Sequence, residues 1–474
     1  MNAESPKEST LDPAFSSALQ GVLAARIKGF RQLKECQKLT AGASQETFRI
    51  LVSTDDGERR FALRRSLPTL QGGTPGQVGL DTEARLLQLA ATANIPVPGV
   101  IHVLTESDGL GEGFLMTWLE GETLGQRIVK SAELADIRPQ LARQCGEVLA
   151  RLHAIEIDAD MQGRLPTVSP AALVRDTWEW YQSLEVPAPM IDFAARWLLE
   201  NLPAESRQTL VHGDFRNGNL MIDKSGIHAV LDWELAQIGD PVRDLGWLCV
   251  NSWRFGNAGL PVGGFGTIED LLAGYEAVSG IAISEEDLRF WQVFGSFWWS
   301  TTTLGMAASW RSGDTPSLER PVIGRRSSEA QMDCVNLLIP GDLELPEAID
   351  PGHGTQLPMP AELLEGVRTF LKEEVAVNAN AHFSFLARVA ANSLGIAQRE
   401  FLYGPGLARA EHERLRAMLG DGELDRLRWQ LAKELRGGLA LDSPGLTQHL
   451  RLTVAGQLYI DQPHYSAIAG PLRP

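Results

Sequence analysis

Cysteine is scarce in this sequence, which has only four in 474 residues. Cys36, Cys145, Cys249 and Cys334 are scattered through apolar segments and show none of the paired spacings of a zinc site or a disulfide framework. This distribution argues against a disulfide-stabilised scaffold and indicates reduced thiols in a hydrophobic interior.

Positive charge is also in short supply, with 43 Lys and Arg residues against 60 Asp and Glu residues and a net charge of −17. Such a balance argues against nucleic acid and anionic membranes as partners. It is compatible with a cationic substrate, and it does not favour a polyanionic one.

Long apolar runs are missing as well. Residues 1–13 are polar and carry acids, unlike a secretory signal. The most apolar stretch, 291–310, is interrupted by Gln292, Gly305 and several hydroxyl residues, so it predicts a buried helix and no membrane insertion. We therefore expect a cytoplasmic enzyme, and the length predicts two or three domains.

The most informative segment is 211–220, VHGDFRNGNL, which places Asp214 and Asn219 five positions apart. A hairpin pattern over 220–231 then returns a second acid, Asp232, toward the same place. Phosphoryl transfer needs one carboxylate to orient a hydroxyl, and an amide and a second carboxylate to hold Mg²⁺ against ATP phosphates. Arg216 stands where a cation would lie near the transferred phosphate. Singly, these residues would fit an ordinary hairpin with polar caps, but their order and spacing favour metal–nucleotide chemistry.

Segment 210–246 resembles the aminoglycoside phosphotransferase and choline-kinase family, which has a protein-kinase-like fold. The shared pattern is His-Gly-Asp, four residues and Asn, then Asp-Trp after an apolar strand, then Gly-Asp-Pro and Asp-Leu. Within the family, the chain is most similar to the kinase-like modules associated with acyl-CoA dehydrogenases. The resemblance covers about residues 30–335. It implies an α+β, bilobal fold with a small β-rich N-lobe and a mostly helical C-lobe, and ATP and Mg²⁺ as cofactors.

The segment 39–50 resembles the strand-loop-strand that covers nucleotide phosphates in this family. Gly42 would allow close backbone approach to a phosphate, and Ser44 would donate a hydrogen bond to it. The family more often has two glycines here, and an Asn where Gln45 stands. A plain hairpin turn therefore stays open as the alternative.

A strand and a helix supply the expected charged pair. Arg64 falls where the family usually has a Lys that contacts the ATP phosphates, and either Arg64 or Arg65 could make this contact. Glu83, on a helix predicted from about residue 80, is the candidate ion-pair partner of Arg64. The alternative for Glu83 is a solvated helix acid.

Two further segments complete the site that the resemblance implies. Met116, Thr117 and Trp118 correspond to the hinge between the lobes, whose backbone groups bind adenine. Arg254 follows the catalytic block and could meet an anionic group of the acceptor. Its alternative is a packing pair with Trp253.

Other polar residues near the motif are predicted to be structural. His153 is expected to pack under the catalytic loop, and His212 to fix the backbone of that loop. Asp240 fits a helix N-cap with Pro241 in the first turn. Asp244 could brace the catalytic loop through its backbone.

Domain boundaries follow from these features. We predict an N-terminal segment with a first helix at 1–29, an N-lobe at 30–117, a C-lobe at 118–337, a Pro/Gly-rich linker at 338–360 and an all-α C-terminal domain at 361–474. Within the last domain, helices are predicted from 360 and over about 380–401, 406–419, 421–436 and 444–459, with an irregular end from 458.

The sequence thus predicts an ATP- and Mg²⁺-dependent phosphotransferase that acts on a hydroxyl group of a small molecule. The resemblance suggests a hydroxyacyl-CoA as acceptor and association with a partner enzyme such as an acyl-CoA dehydrogenase. The alternatives are an aminoglycoside or amino-alcohol kinase, and a non-catalytic nucleotide-binding regulator or scaffold. The oligomeric state stays open.

Overall fold

The structure is a computed structural model that describes residues 12–39, 45–66, 77–313, 317–342 and 358–469. The chain divides into two compact units. The described parts of 1–167, 208–244 and 271–281 form the first unit, and those of 168–207, 245–270 and 282–474 form the second. The predicted α+β class is confirmed, with a β-sheet in the N-terminal region and an all-helical C-terminal region.

The first unit contains the strands of the described residues. They are β1 (Phe30–Leu39), β2 (Glu46–Thr54), β3 (Gly57–Ser66), β4 (Val100–Val103), β5 (Glu112–Thr117), β6 (Thr209–Val211), β7 (Leu220–Asp223), β8 (Gly226–Val230) and β9 (Gln237–Gly239). The first five form one antiparallel sheet in the order β1-β2-β3-β5-β4. Two small antiparallel sheets pair β6 with β9 and β7 with β8.

Helices make up most of the remaining chain. Those up to residue 279 are α1 (Pro13–Arg26), α2 (Leu80–Thr92), α3 (Gly125–Lys130), α4 (Leu141–His153), α5 (Ala159–Arg164), α6 (Pro170–Ser183), α7 (Pro189–Glu200), α8 (Val242–Leu248) and α9 (Ile268–Ser279). Those that follow are α10 (Glu285–Arg311), α11 (Glu319–Arg325), α12 (Ser327–Leu338), α13 (Pro360–Phe370), α14 (Ala376–Asn378), α15 (Ala381–Leu419), α16 (Leu424–Arg436) and α17 (Leu446–Asp461).

The sheet is built on alternation of buried and exposed side chains, because successive residues of a strand point to opposite faces. Phe61 and Leu63 of β3 belong to the hydrophobic cluster that α1 closes with Phe15. Arg65 shares that face, and its guanidinium lies 4.2 Å from the centre of the Phe15 ring. Arg64 therefore points to the opposite face of β3.

Close packing of β3 against β5 requires a glycine in β5. Gly113 pairs with Arg65 in the sheet. A Cβ atom at this position would lie 2.2 Å from the carbonyl oxygen of Arg64. Because real Cβ atoms cannot approach so closely, Gly113 lets the two strands meet and fixes the position of Arg64.

The predicted hairpin after the catalytic motif is confirmed. Strands β7 and β8 pair antiparallel, and the turn between them is the predicted segment 223–226. The backbone N–H of Ser225 donates to the Asp223 carboxylate at 2.7 Å, and Gly226 has a φ of +117° that favours glycine.

The predicted buried helix over 291–310 is also confirmed as part of α10, with Trp291, Phe294 and Phe297 almost fully buried. No helix in the described residues combines the length and apolarity needed to cross a bilayer. All four cysteines are free thiols, three of them buried and Cys36 partly buried.

The C-terminal helices differ from the prediction at one point. The helices expected over 380–401 and 406–419 are a single helix, α15, which continues through Pro405. Proline removes one backbone donor and disturbs one turn. Extensive packing of α15 on α13, α16 and α17 keeps the helix continuous through this turn.

The end of the chain is more regular than expected from residue 458. Helix α17 continues to Asp461, whose carboxylate pairs with Arg325 at 2.6 Å, and a short 3₁₀ helix covers 466–469. The predicted linker falls mostly on 343–357, outside the described residues. The C-terminal helices belong to the same compact unit as 168–207 and 245–270. The domain boundaries stay a prediction.

Candidate active site

The catalytic motif forms a tight loop in which Asp214 and Asn219 face each other. The side-chain amide of Asn219 donates to the Asp214 carboxylate at 2.6 Å and to its backbone carbonyl at 2.9 Å. Both residues are largely buried. Because a side-chain amide NH₂ group only donates hydrogen bonds, the amide oxygen of Asn219 is the atom that could ligate a metal.

The hairpin brings Asp232 back beside this loop, as predicted. The backbone N–H of Leu231 donates to the carbonyl of Asn219 at 2.8 Å. Asp232 has a φ of +64°, which is unusual for a residue other than glycine. Backbone strain of this kind persists where surrounding contacts hold it, often at functional sites.

Asp244 stabilises the catalytic loop through hydrogen bonds from the loop backbone to its carboxylate. Its fully buried carboxylate accepts hydrogen bonds from the backbone N–H groups of His212 at 2.8 Å and Gly213 at 2.9 Å, and from His153 Nε2 at 3.2 Å. Burial alone would raise the pKa of Asp244, but the hydrogen bond and charge of His153 hold it below its usual value. The structure thus gives His153 and Asp244 the supporting positions that the sequence predicted.

His212 fixes the loop through both ring nitrogens. The backbone N–H of Asp214 donates to Nδ1 at 3.2 Å, so Nε2 carries the hydrogen that it donates to the Leu231 carbonyl at 3.1 Å. Burial lowers the pKa of His212, which keeps the ring neutral. Gly213 has a φ of +82°, and a Cβ there would lie 2.2 Å from the Leu235 carbonyl oxygen. The loop therefore needs glycine at this position.

Three carboxylates contact the guanidinium group of Arg64. Its Nη1 donates to Glu83 at 2.9 Å, and its Nη2 donates to Asp232 at 2.8 Å and Glu234 at 3.3 Å. Its Nε donates to the side chain of Gln45 at 2.7 Å. Arg64 thus faces the acids of the motif, whereas Arg65 faces the Phe15 ring. Which of the two arginines contacts phosphate stays a prediction.

The carboxylates around Arg64 repel one another, and this repulsion contributes to the raised pKa values of Glu83 and Glu234. Burial raises the pKa of Glu83 to about 7, and the charges of Asp232 and Glu234 add to the rise while Arg64 opposes it. Burial likewise raises the pKa of Glu234, and Asp232 adds to that shift. Arg64 thus lies among more carboxylates than its single charge neutralises, which is an environment that favours an added cation.

Arg216 lies against the carboxylate of Asp214. Its Nε donates to the Asp214 carboxylate at 2.9 Å, and its Nη1 donates to the backbone carbonyl of Asn217 at 2.9 Å. About a quarter of the side chain is exposed. This position keeps a cation next to Asp214, and the predicted role of Arg216 near the transferred phosphate stays a prediction.

For the remaining predicted nucleotide-binding residues, the structure gives less information. Gly42 and Ser44 lie outside the described residues. In the hinge, the backbone N–H of Thr117 donates to the Gly99 carbonyl at 2.9 Å and that of Trp118 to the Arg60 carbonyl at 3.4 Å. Met116 lies between β3 and β4 in the sheet. A role of 116–118 in adenine binding stays a prediction.

Arg254 belongs to the second unit, whereas the motif residues belong to the first. It is buried, and its guanidinium donates to the backbone carbonyls of Cys249 at 2.7 Å and Ala258 at 3.4 Å. Burial lowers the pKa of Arg254. These contacts suit the packing alternative, and a contact with substrate stays a prediction.

Sequence reasoning missed two partners of Arg64, namely Gln45 and Glu234. Glu234 stands two residues after Asp232, and that spacing was the available signal. The contact of Gln45 depends on the pairing of Thr47 with Arg64 between β2 and β3, which places it near the guanidinium.

The fold and the site define a kinase-like phosphotransferase, and comparison with known proteins agrees. A family model described as "Phosphotransferase enzyme family" matches residues 35–281, slightly more than half of the 474 residues. The chain therefore belongs to the phosphotransferase enzyme family, as an enzyme of the small-molecule kinase class. A second model, described as a domain of unknown function (DUF6285), matches residues 359–465.

Curated relatives carry names from another enzyme class. Acyl-CoA dehydrogenase family member 10 of Mus musculus is 30% identical over 251 residues, which cover 50% of this chain and 22% of the relative. Acyl-CoA dehydrogenase family member 11 of Pongo abelii is 24% identical over 350 residues, which cover 69% of this chain and 42% of the relative. The chain thus spans less than half the length of either relative.

A solved structure shows the same fold. The crystal structure of a Ralstonia eutropha protein, provisionally described as an aminoglycoside phosphotransferase, superposes with a TM-score of 0.55 at 22% sequence identity. The match covers 67% of this chain and 96% of that one. The kinase-like fold expected from the sequence is therefore confirmed.

Proposed function

We propose that this protein transfers the γ-phosphoryl group of ATP to a hydroxyl group of a small molecule, with Mg²⁺ as cofactor. The observation that carries the proposal is the convergence of Asp214, Asn219 and Asp232. The Asn219 amide lies 2.6 Å from the Asp214 carboxylate, and the Leu231–Asn219 backbone hydrogen bond of 2.8 Å brings Asp232 alongside. This is the constellation that phosphoryl transfer needs.

In this proposal Asp214 orients the acceptor hydroxyl and takes its proton. The hydroxyl oxygen forms a bond to the γ-phosphorus as the bond from that phosphorus to the bridging oxygen of ADP breaks. The products are ADP and a phosphomonoester. Positioning and charge neutralisation supply most of the rate enhancement, because the reacting groups need little covalent assistance. Arg216, 2.9 Å from the Asp214 carboxylate, adds a cation beside the acid.

The residues of the site fit a magnesium–nucleotide cofactor. No preassembled group of three or more metal-ligating acids, histidines or cysteines occurs in the described part of the chain. Mg²⁺ is commonly held by only one or two protein side chains together with substrate phosphates, so Asn219 and Asp232 suffice as its protein ligands. When bound, Mg²⁺ would neutralise phosphate charge during transfer.

In this proposal the nucleotide binds next to the five-stranded sheet that carries Arg64. Arg64 is the proposed phosphate contact, with Glu83 at 2.9 Å as the residue that orients it. Gly42 and Ser44 are proposed to cover the phosphates, and the backbone of 116–118 to bind adenine. These assignments rest on the motif positions in the sequence and on the direction in which Arg64 points from β3.

For the acceptor we propose a hydroxyacyl-CoA, and for a protein partner an acyl-CoA dehydrogenase. The support is that both relatives described above are named as acyl-CoA dehydrogenase family members and are longer than this chain. This chain matches only part of each relative, so in this proposal it works beside a separate acyl-CoA dehydrogenase. The net charge of −17 speaks for a cationic acceptor instead, so an aminoglycoside or amino alcohol is the second candidate.

A product screen tests the proposal. The full chain is incubated with ATP, with and without Mg²⁺, and with hydroxyacyl-CoAs, aminoglycosides or amino alcohols, and mass spectrometry detects a phosphorylated acceptor. We expect a product that needs Mg²⁺ and is lost in Asp214→Asn but kept in Asp223→Asn, a control on the adjacent hairpin. Nucleotide binding with neither a phosphorylated product nor Asp214-dependent ATP hydrolysis would contradict an enzyme and favour a regulator or scaffold.

A further inference from the structure

The second unit contains a cavity of about 560 Å³ that the phosphotransfer site does not use. Its walls come from the loop before α7, from α11 and α12, and from α15, α16 and α17. A volume of this size is typical of small-molecule sites, which range over roughly 300–1,000 Å³. The cavity therefore has room for a ligand and lies wholly within one compact unit.

Charged side chains in the cavity wall are already paired with one another. Arg428 donates to Glu411 at 2.9 and 2.5 Å and to Asp425 at 3.0 Å. Arg325 donates to Asp461 at 2.6 Å. Because these pairs satisfy both guanidinium groups, the wall offers little net charge to a ligand. A phosphate or carboxylate head group would have to displace an existing ion pair.

One residue that lines the cavity has a buried polar atom without a partner among the described residues. His449 is 1% exposed, and its Nδ1 makes no hydrogen bond to any described residue. Burial lowers the pKa of His449 to about 4, so the ring is neutral at physiological pH. A buried polar atom without a partner is costly, and a neutral imidazole nitrogen can pair with a hydroxyl or an amide.

A second cavity of about 510 Å³ adjoins the first. The two share the side chains or backbone of Val186, Leu304, Gly324 and Arg325 in their walls. Beyond these shared residues, the second cavity is lined mainly by apolar side chains, including Ala308, Trp310, Val322 and Ile396. The charged residues in its wall are Arg311, Arg325 and Glu400, and Arg325 pairs with Glu400.

We propose that these adjoining cavities form one binding site for an amphipathic small molecule. A neutral, hydrogen-bonding head group pairs with His449 in the first cavity, and an aliphatic chain lies in the second. This site is separate in sequence from the catalytic motif and does not rest on the proposed phosphotransfer. It assigns a ligand-binding role to the C-terminal helices, which supply His449, much of the first wall and part of the second.

Binding of three probes with the same alkyl length tests the head-group chemistry. Isothermal titration calorimetry on the full chain compares decanoyl-N-methylglucamide, decanoate and decyltrimethylammonium, each below its micelle concentration. We expect saturable binding of the neutral glucamide at one site and weaker binding of both charged probes. Absence of saturable glucamide binding, or tighter binding of decanoate that is lost in Arg311→Ala, would overturn the proposal.

Variants in each cavity test the placement of head and chain. Ala308→Phe fills the second cavity and should weaken glucamide binding about tenfold or more, because the alkyl chain loses its apolar surroundings. Its matched control is Ala410→Phe, an exposed alanine of α15 outside both walls, which should bind normally. Equal affinities of the Ala308→Phe and wild-type proteins would contradict the site.

His449 is tested by two replacements of different polarity. His449→Phe removes the hydrogen-bonding atom and should weaken glucamide binding by about fivefold, the effect of one net hydrogen bond. His449→Gln keeps a hydrogen-bonding group and should restore part of the affinity. Equal loss in both folded variants would overturn the role of Nδ1. Should neither variant fold, the Ala308→Phe comparison decides the proposal.

Discussion

The guanidinium group of Arg64 donates a 2.8 Å hydrogen bond to the carboxylate of Asp232, which lies 168 residues later in the chain. The same guanidinium donates to Glu83 at 2.9 Å through its other terminal nitrogen. One side chain of β3 thus ties the proposed metal ligand to α2. Arginine serves this arrangement through a planar fork, whereas lysine would offer a single point charge.

Replacing Arg64 should weaken nucleotide binding, and the loss should be larger when both the charge and the planar guanidinium are removed. Arg64→Ala removes both charge and fork and should raise the dissociation constant for a non-hydrolysable ATP analogue with Mg²⁺ by about tenfold or more. Arg64→Lys keeps the charge and should recover part of that loss. Calorimetric titration of both variants measures these changes.

Arg65 provides the matched control, since it points to the opposite face of β3. Its guanidinium pairs with Glu46 at 2.8 Å and covers the Phe15 ring. Arg65→Ala should therefore lower thermal stability and leave nucleotide affinity unchanged. Loss of affinity in Arg65→Ala together with normal binding in Arg64→Ala would contradict the assignment of Arg64.

Asp232 is expected to be essential for the metal dependence of nucleotide binding. Asp232→Ala should lose most of the Mg²⁺ dependence of ATP-analogue binding, because Asp232 is the charged member of the proposed pair of protein ligands. Turnover should fall below detection while circular dichroism stays that of the wild type. Asp223→Ala, in the turn of the same hairpin, should keep the Mg²⁺ dependence. A Mg²⁺ response of wild-type size in Asp232→Ala would refute this ligand assignment.

Glu83 should make stability depend on pH in a defined window. Its pKa is about 7 in the folded protein against 4.5 for the free group, so the folded state holds this proton more tightly. The contribution of Glu83 to stability therefore falls as pH rises from 4.5 to 7, by about 1–3 kcal/mol, and levels off above. Glu83→Gln removes this titration. The melting temperature of the wild type should therefore fall relative to that of Glu83→Gln across that window, and a constant difference would rule out the shift.

Within the second unit, an ion pair with a buried carboxylate joins a C-terminal helix to α7. Arg436 of α16 donates to the fully buried Asp192 of α7 at 2.8 Å, and Trp178 donates to the same carboxylate at 2.7 Å. Arg436→Met leaves this carboxylate buried without its cation, which should destabilise the unit by about 3 kcal/mol.

A double variant separates the ion pair from packing. Asp192→Asn removes the buried charge, so adding it to Arg436→Met should recover part of the loss in melting temperature. Nucleotide affinity should stay unchanged in all three proteins, because the candidate nucleotide residues lie in the first unit. Strictly additive effects of the two replacements would show that the pair is not coupled.

The positions of the motif residues could be predicted from the sequence where short spacing determines geometry. The distance between Asp214 and Asn219 in the loop, and the hairpin that returns Asp232, both follow from local turn and strand patterns. The direction of Arg64 required the burial pattern of a whole strand, which is why Arg65 stayed open. The side chains of β3 can be assigned to its two faces only when the face that α1 covers is known.

Features that depend on distant packing could not be predicted. Proline usually interrupts a helix, and only contacts with neighbouring helices explain why α15 continues through Pro405. The pairing of Asp192 with Arg436 joins residues 244 positions apart, and neither residue has a local pattern that identifies the other. The Glu234 contact with Arg64 likewise depends on how the segment after β8 meets β3.

The most direct test of phosphoryl transfer compares Asp214→Asn with the wild type in two measurements on the same protein. The first is the dissociation constant of the ATP analogue with Mg²⁺, and the second is the rate of transfer from γ-labelled ATP to the acceptor found in the product screen. Asparagine keeps the size of the side chain and removes its ability to accept the proton. We predict that the rate falls by about 10²–10⁴ while nucleotide affinity changes only slightly. Transfer at the wild-type rate, or equal losses in rate and affinity, would contradict the catalytic role of Asp214.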